Sequence, residues 1–140
     1  MFALVRDSVL HFGPAWVTLC IAFGIHVVDE ALTDFLAVYN PMVRAVRARF
    51  PFLPLPTFTF RVWLSGLVLA VLVLASLTPF AFGGASWMRP VAYASGLIMA
   101  GNGLLHLVGS AYTRKVMPGT YSAPLILAAA IYLLASVAVS

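Results

Sequence analysis

The chain has almost no charge. Asp, Glu, Lys and Arg make up 9% of its 140 residues, against roughly 25% in a soluble domain. That scarcity excludes an ordinary water-soluble globular protein. Only four residues are acidic: Asp7, Asp29, Glu30 and Asp34. Cys20 is the single cysteine, which excludes an intrachain disulfide and any cysteine-based metal motif. Lying in an apolar run, it reads as an inert core thiol. Eight basic residues give a net charge of +4. They cluster in the connections between apolar stretches, as membrane topology requires, so nucleic acid is not the expected partner. Internal repeats, low-complexity tracts and lipidation signals are missing, and nothing indicates a nucleotide cofactor. A cleaved signal peptide is rejected, because Asp7 spoils the positive n-region and the first apolar stretch is too long and carries acids.

What remains is hydrocarbon. The chain is 63% hydrophobic with a mean hydropathy of +1.04. We expect a single all-α integral membrane domain over residues 1–140, with room for four spanning helices of ~20 residues. The expected helices cover about 14–39, 60–80, 90–113 and 120–139. Pro14 suits a first helical turn, and Tyr39-Asn40-Pro41 suits a stop. Phe60–Phe80 is apolar all round, as a lipid-facing helix is. Thr120 is the expected N-cap of the last helix. Prolines rule out a continuous helix over 44–60. The arginines and phenylalanines of that connection suit a membrane interface, as a linker or a substrate-gathering lip. Arg44, Arg47, Arg49, Arg61, Arg114 and Lys115 fall on one side of a four-helix bundle, and Arg6 and Arg89 on the other. The basic loops are therefore expected in the cytoplasm and both termini outside.

Against this background "GIHVVDEALTD" (24–34) is anomalous. His26, Asp29 and Glu30 stand at i, i+3 and i+4, on one face of a helix. Thr33 continues the stripe, and Asp34 lies toward its edge, near the cytoplasmic interface. On the third helix Asn102 and His106 are spaced i, i+4, on a face with Ser95, Met99 and Gly109. Glu30 lies nine residues from Tyr39, about 14 Å along a helix. His106 lies seven residues from Thr113, about 11 Å by the same rise. Two polar patches at one depth on parallel helices read as one site. Neither apolar core holds a Lys or Arg to neutralise the acids. The partners left are His26, His106, a proton or a metal ion. Two imidazoles with one or two carboxylates make a ligand set for zinc or iron. The bland alternative is a hydrogen-bonded network joining two helices. Gly101 and Gly103 flank Asn102, and Gly96 and Ala100 are spaced i, i+4, which allows close helix packing. Tyr112 and Tyr121 flank the last connection as aromatic-belt residues, with Tyr121 the one that could serve as a proton donor in the site. Trp16, Trp63 and Trp87 read as belt or packing residues, and His11 as interfacial.

"HVVDE", "NGLLH" and "MPGTYSA" together resemble the HXXEE family of small bacterial membrane proteins. The resemblance spans about residues 20–130 and places the family motif on His26, Asp29, Glu30, Asn102, His106, Pro118 and Gly119. It implies a bacterial inner-membrane protein. Asp29 departs from the family's first Glu and reaches one methylene less far, which favours Glu30 as the direct ligand. Met117 stands where an aromatic is common.

Three functions fit. The first is a metal-dependent membrane enzyme acting on a lipophilic small molecule or membrane lipid, by hydrolysis or oxidation. His26, Glu30, His106 and in one version Asp29 bind the ion. Asp29 otherwise supports a ligand from behind or serves as general base, and Asn102 is an oxygen ligand, a hydrogen-bond partner to an imidazole, or the group that orients substrate. The second is a metal-free acid–base isomerase or cyclase for a lipid or isoprenoid, using the same carboxylates and imidazoles. The third is a proton- or cation-transporting subunit, which with four helices would need to form a homo-oligomer.

Overall fold

The computed structural model describes residues 2–139, with side chains described from Gly13 onward. Expectations for the side chains of Arg6, Asp7 and His11 fall outside that set. The elements in chain order are α1 (Phe2–Leu32), α2 (Phe35–Arg49), α3 (Phe60–Ser76), α4 (Thr78–Phe82), α5 (Met88–Thr113) and α6 (Ala123–Ala138). No strand occurs among the described residues. Three segments are long and apolar enough to cross a membrane: Gly13–Leu32, Phe60–Phe82 and Met88–Thr113. The apolar α6 is shorter.

The first expected helix is corrected at both ends. It reads through Pro14, which lies inside α1 rather than in its first turn. It also stops at Leu32, not Tyr39, so Glu30 is two residues from the helix end, about 3 Å along the axis. Asp34 takes a left-handed conformation with φ 57° and ψ 55°. Asp is one of the few side chains that tolerate this region, and the bend starts a second helix in a new direction. Asn-Pro at 40–41 does not stop the chain, because Pro41 lies inside α2. The side chain of Asn40 instead fastens α2 to the start of α3. Its Nδ2 donates to the Phe58 carbonyl at 2.8 Å, and its Oδ1 accepts from the Phe58 amide at 3.0 Å. The actual stop is Pro51. Phe50 leaves the helical region with φ −132° and ψ 77°, as the residue before a proline does.

Other boundaries follow local chemistry. Thr59 caps α3, its Oγ1 accepting from the Val62 amide at 3.4 Å. A break at Leu77 separates α3 from α4, where Pro79 has no N–H to continue the ladder. The N-cap of α6 is Ser122 rather than Thr120.

The last helix is the centre of the packing. α6 lies against both α5 and α1, whereas α1 and α5 touch each other little. Its inner face buries Ala123, Ile126, Ala129, Ala130, Leu133 and Val137. Close approach of α5 depends on small residues. A Cβ at Gly103 would sit 3.1 Å from the Ala123 carbonyl, and one at Gly96 2.8 Å from Leu134. A Cβ at Gly101 would meet nothing within 4 Å, so this glycine is not a packing position. α3 and α4 pack against α1, and α3 buries Trp63 alone, in line with a lipid-facing helix. Trp16 is fully buried and its Nε1 donates to the Leu74 carbonyl at 3.1 Å, which makes it a packing residue. Cys20 is a buried core thiol.

The bend at Asp34 is testable. Asp34→Gly removes the left-handed penalty and should leave stability at or above wild type. Asp34→Val should lower it by about 1–2 kcal/mol. Thermal unfolding in detergent compares them, and equal losses would show that the backbone conformation is not what selects Asp34.

Candidate metal centre

α1 supplies His26 and Glu30, one turn apart on the face turned toward α5 and α6. α5 supplies His106. All three are buried. His106 Nε2 is 3.1 Å from Glu30 Oε1, and His26 Nε2 is 3.6 Å from the same oxygen. The two imidazoles meet edge to face, with centroids 4.9 Å apart and planes at 76°. One ligand atom from each residue lies within 4.8 Å of the others. No Lys or Arg forms an ion pair with Glu30 among the described residues. The first residue of α2 begins beside this cluster, with the Phe35 ring 5.9 Å from His106.

A second set of bonds holds the cluster from α6. Asp29 does not join the three ligands. Its Oδ2 accepts the Ser122 amide at 2.8 Å and the Ser122 hydroxyl at 2.7 Å. Asp29 thus caps α6 from another helix, where a carboxylate also complements the helix dipole. Ser122 Oγ is in turn 2.7 Å from His26 Nδ1. Asp29 is not among the three grouped ligand atoms, and it reaches His26 through a serine.

The turn before α6 completes the wall. The Thr120 amide donates to the Met117 carbonyl at 3.1 Å. With Pro118 second and Gly119 third at φ 82°, this is a type II turn, which requires a positive φ at that position. Gly119 is needed twice. A Cβ there would lie 2.7 Å from His106 Cε1 and 3.0 Å from Glu30 Cγ. The Gly119 amide donates to Thr33 Oγ1 at 3.1 Å, and Thr33 donates to the Asp29 carbonyl at 2.6 Å. On the α5 side, Ser110 Oγ is 2.6 Å from Thr120 Oγ1 and accepts the Met117 amide at 2.9 Å. Met117 fits its sulfur against Gly109, where a Cβ would come within 2.6 Å of it.

Other expected residues sit outside the cluster. Asn102 is half-buried one turn before His106, and its side chain makes no hydrogen bond among the described residues. Tyr121 is 74% exposed and Tyr112 89% exposed, so both face outward, in keeping with belt residues. Tyr121 is not placed as a proton donor inside the site. Asp34 is exposed, as expected of an interfacial residue. Ser122 was not singled out by sequence reasoning. Its one signal was its position, three residues after Gly119 and immediately before an apolar run, where N-caps occur.

An all-helical chain with three candidate membrane spans and a buried His/Glu/His group defines the class. Residues 17–133 match the family described as "Protein of unknown function with HXXEE motif", and the chain belongs to that family. No curated protein and no solved structure matches it.

The turn gives a second prediction. Gly119→Ala should destabilise by about 1–3 kcal/mol through backbone strain, and should also push His106 away from Glu30. Gly101→Ala, with open space around it, should be neutral. Thermal unfolding of both variants in detergent tests this, and a neutral Gly119→Ala would refute the packing described.

Proposed function

We propose that this protein is a metal-dependent integral membrane enzyme acting on a lipophilic substrate, with His26, Glu30 and His106 as the ligands of a zinc or iron ion. The observation that carries the reading is His26 Nε2. It is buried, has no hydrogen-bond partner, and faces Glu30 Oε1. A buried polar atom left without a partner costs about 1–3 kcal/mol, and a cation between these atoms removes that cost. The spacing supports this. Tetrahedral bonds of 2.0–2.1 Å place neighbouring ligand atoms about 3.3 Å apart; the two separations from Glu30 Oε1, 3.1 and 3.6 Å, bracket that value, and all three atoms lie within 4.8 Å. Two histidines and one glutamate are three protein ligands, the number used by catalytic zinc sites and by non-haem iron centres with open positions.

A bound ion would supply Lewis acidity, and in the case of iron redox chemistry as well. The chain's own residues do the rest. Ser122 and Asp29 hold His26 in place. Gly119 leaves room for the His106 ring. Asn102, with free hydrogen-bonding capacity beside His106, orients the substrate. In this reading α6 completes a bundle of four crossing helices in a bacterial inner membrane, with both termini outside. The arginine-bearing α2 and the connection after it lie at the cytoplasmic surface, and substrate arrives from that leaflet.

One observation favours a second reading. The 3.1 Å contact between His106 Nε2 and Glu30 Oε1 is also hydrogen-bond geometry, and suits a metal-free acid–base pair in a lipid or isoprenoid isomerase or cyclase.

Metal content separates the two. Protein purified in detergent without chelators, then reconstituted with zinc, iron or manganese, should retain one of them near stoichiometrically. His26→Ala, His106→Ala and Glu30→Gln should each lose it. Mass-spectrometric elemental analysis reads the result. Wild type that holds no metal would overturn the metal reading and leave the acid–base enzyme as the working one.

A further inference from the structure

Ser122 sits between a carboxylate and an imidazole, and its single proton decides what the imidazole can do. Three oxygens or nitrogens compete for it. Asp29 Oδ2 lies at 2.7 Å, His26 Nδ1 at 2.7 Å and the Gly119 carbonyl at 3.3 Å. An ionised carboxylate has no proton to give. Its hydrogen bonds are also stronger than those to neutral acceptors. The hydroxyl proton therefore goes to Asp29. Ser122 Oγ is left as an acceptor facing His26, and the short contact at Nδ1 is a bond only if Nδ1 carries the hydrogen. In a neutral imidazole the other nitrogen is then a lone pair.

We infer that Ser122 is a positioning residue: backed by Asp29, it fixes His26 as the Nδ1–H tautomer and so presents Nε2 as a bare lone pair to the centre of the cluster. Metal-binding histidines are commonly held this way, by a hydrogen-bonded group on the ring nitrogen that does not face the ion. Here the orienting group reaches the ring through a hydroxyl, from a helix that contributes no ligand. The tautomer also accounts for the unpartnered Nε2, since a lone pair cannot bond the lone pairs of Glu30 Oε1.

The two imidazoles are not equivalent in this respect. His26 is clamped by α6, whereas the Nδ1 side of the His106 ring rests against Gly119, where a Cβ would be 2.9 Å away. His26 is thus the preset member of the pair. The affinity consequence rests on the metal reading above; the tautomer itself does not.

The test uses the full chain in lipid bilayers, stripped of metal by chelator, in mildly alkaline buffer, with nitrogen-15 histidine. Solid-state NMR distinguishes a protonated ring nitrogen from a bare one. The His26 signals are identified by their loss in His26→Gln. The expected result is a protonated Nδ1 and a bare Nε2. A proton on Nε2 in wild type overturns the inference. Ser122→Ala keeps the backbone amide that bonds Asp29 and so keeps α6 seated. It should shift His26 toward the Nε2–H form, while Ser122→Thr keeps the wild-type pattern. An unchanged Ser122→Ala spectrum also overturns the inference. If Ser122→Ala does not accumulate, the wild-type and Ser122→Thr spectra decide the matter. In parallel, zinc titration should show affinity lowered about 10–100-fold in Ser122→Ala and near wild type in Ser122→Thr. Wild type with the expected tautomer but no zinc binding would sink the metal reading alone. Zinc binding by a wild type with protonated Nε2 would sink the tautomer alone.

Discussion

The structure depends on the bond between Asp29 and Ser122. One carboxylate oxygen takes both the amide and the hydroxyl of the residue that starts α6. Hydrogen bonds to a charged acceptor contribute about 1.5–3 kcal/mol each. This pair ties the end of α1 to the start of α6. It also gives the half-buried Asp29 what a membrane requires of any carboxylate at such a position, namely donors that satisfy it. With Asp29 so engaged, Glu30 is the carboxylate left facing the two imidazoles. One helix turn thus carries two acids with different tasks. Asp29 seats a helix, and Glu30 gathers the ligands.

The turn at Met117–Thr120 makes this arrangement possible. Pro118 and Gly119 reverse the chain tightly enough to bring the start of α6 beneath His106. The hydroxyls of Thr33, Ser110 and Thr120 then bond the turn to α1 and α5. Each of these side chains is small, and none is charged. In a low-dielectric setting such bonds hold irregular backbone where it is buried in protein. Pro118 and Gly119 therefore belong to the same device as His26, Glu30 and His106, although they carry no reactive group.

Much of this was legible in the sequence. The spacing of His26, Glu30 and His106, and the lack of any cation to pair with the acids, brought the three together correctly from opposite ends of the chain. Hydropathy picked out the three long apolar segments, because burial in hydrocarbon imposes long uniform runs. The misses have physical reasons. The bend at Asp34 leaves no local trace, since Asp also suits ordinary helix termini and turns. Asn40-Pro41 read as a stop, yet the helix tolerates the proline and Asn40 spends its amide on Phe58. Asp29 looked like a ligand because periodicity reports a shared face, not which partner a side chain reaches. Ser122 was passed over because its partners lie 93 and 96 residues away, and helical periodicity links only residues on one helix.

Those separations bear on how the molecule is made. His26, Asp29 and Glu30 lie on α1, and Ser122, which opens α6, is made more than 90 residues later. Through most of synthesis Asp29 and the imidazole of His26 have no α6 to hold them, so they must be kept wet or temporarily satisfied by something else. The cluster is completed only when α6 docks against α1 and α5. Docking of that helix is therefore an assembly checkpoint. With α6 misplaced, Asp29 and His26 lose the Ser122 bonds that hold them beside Glu30 and His106.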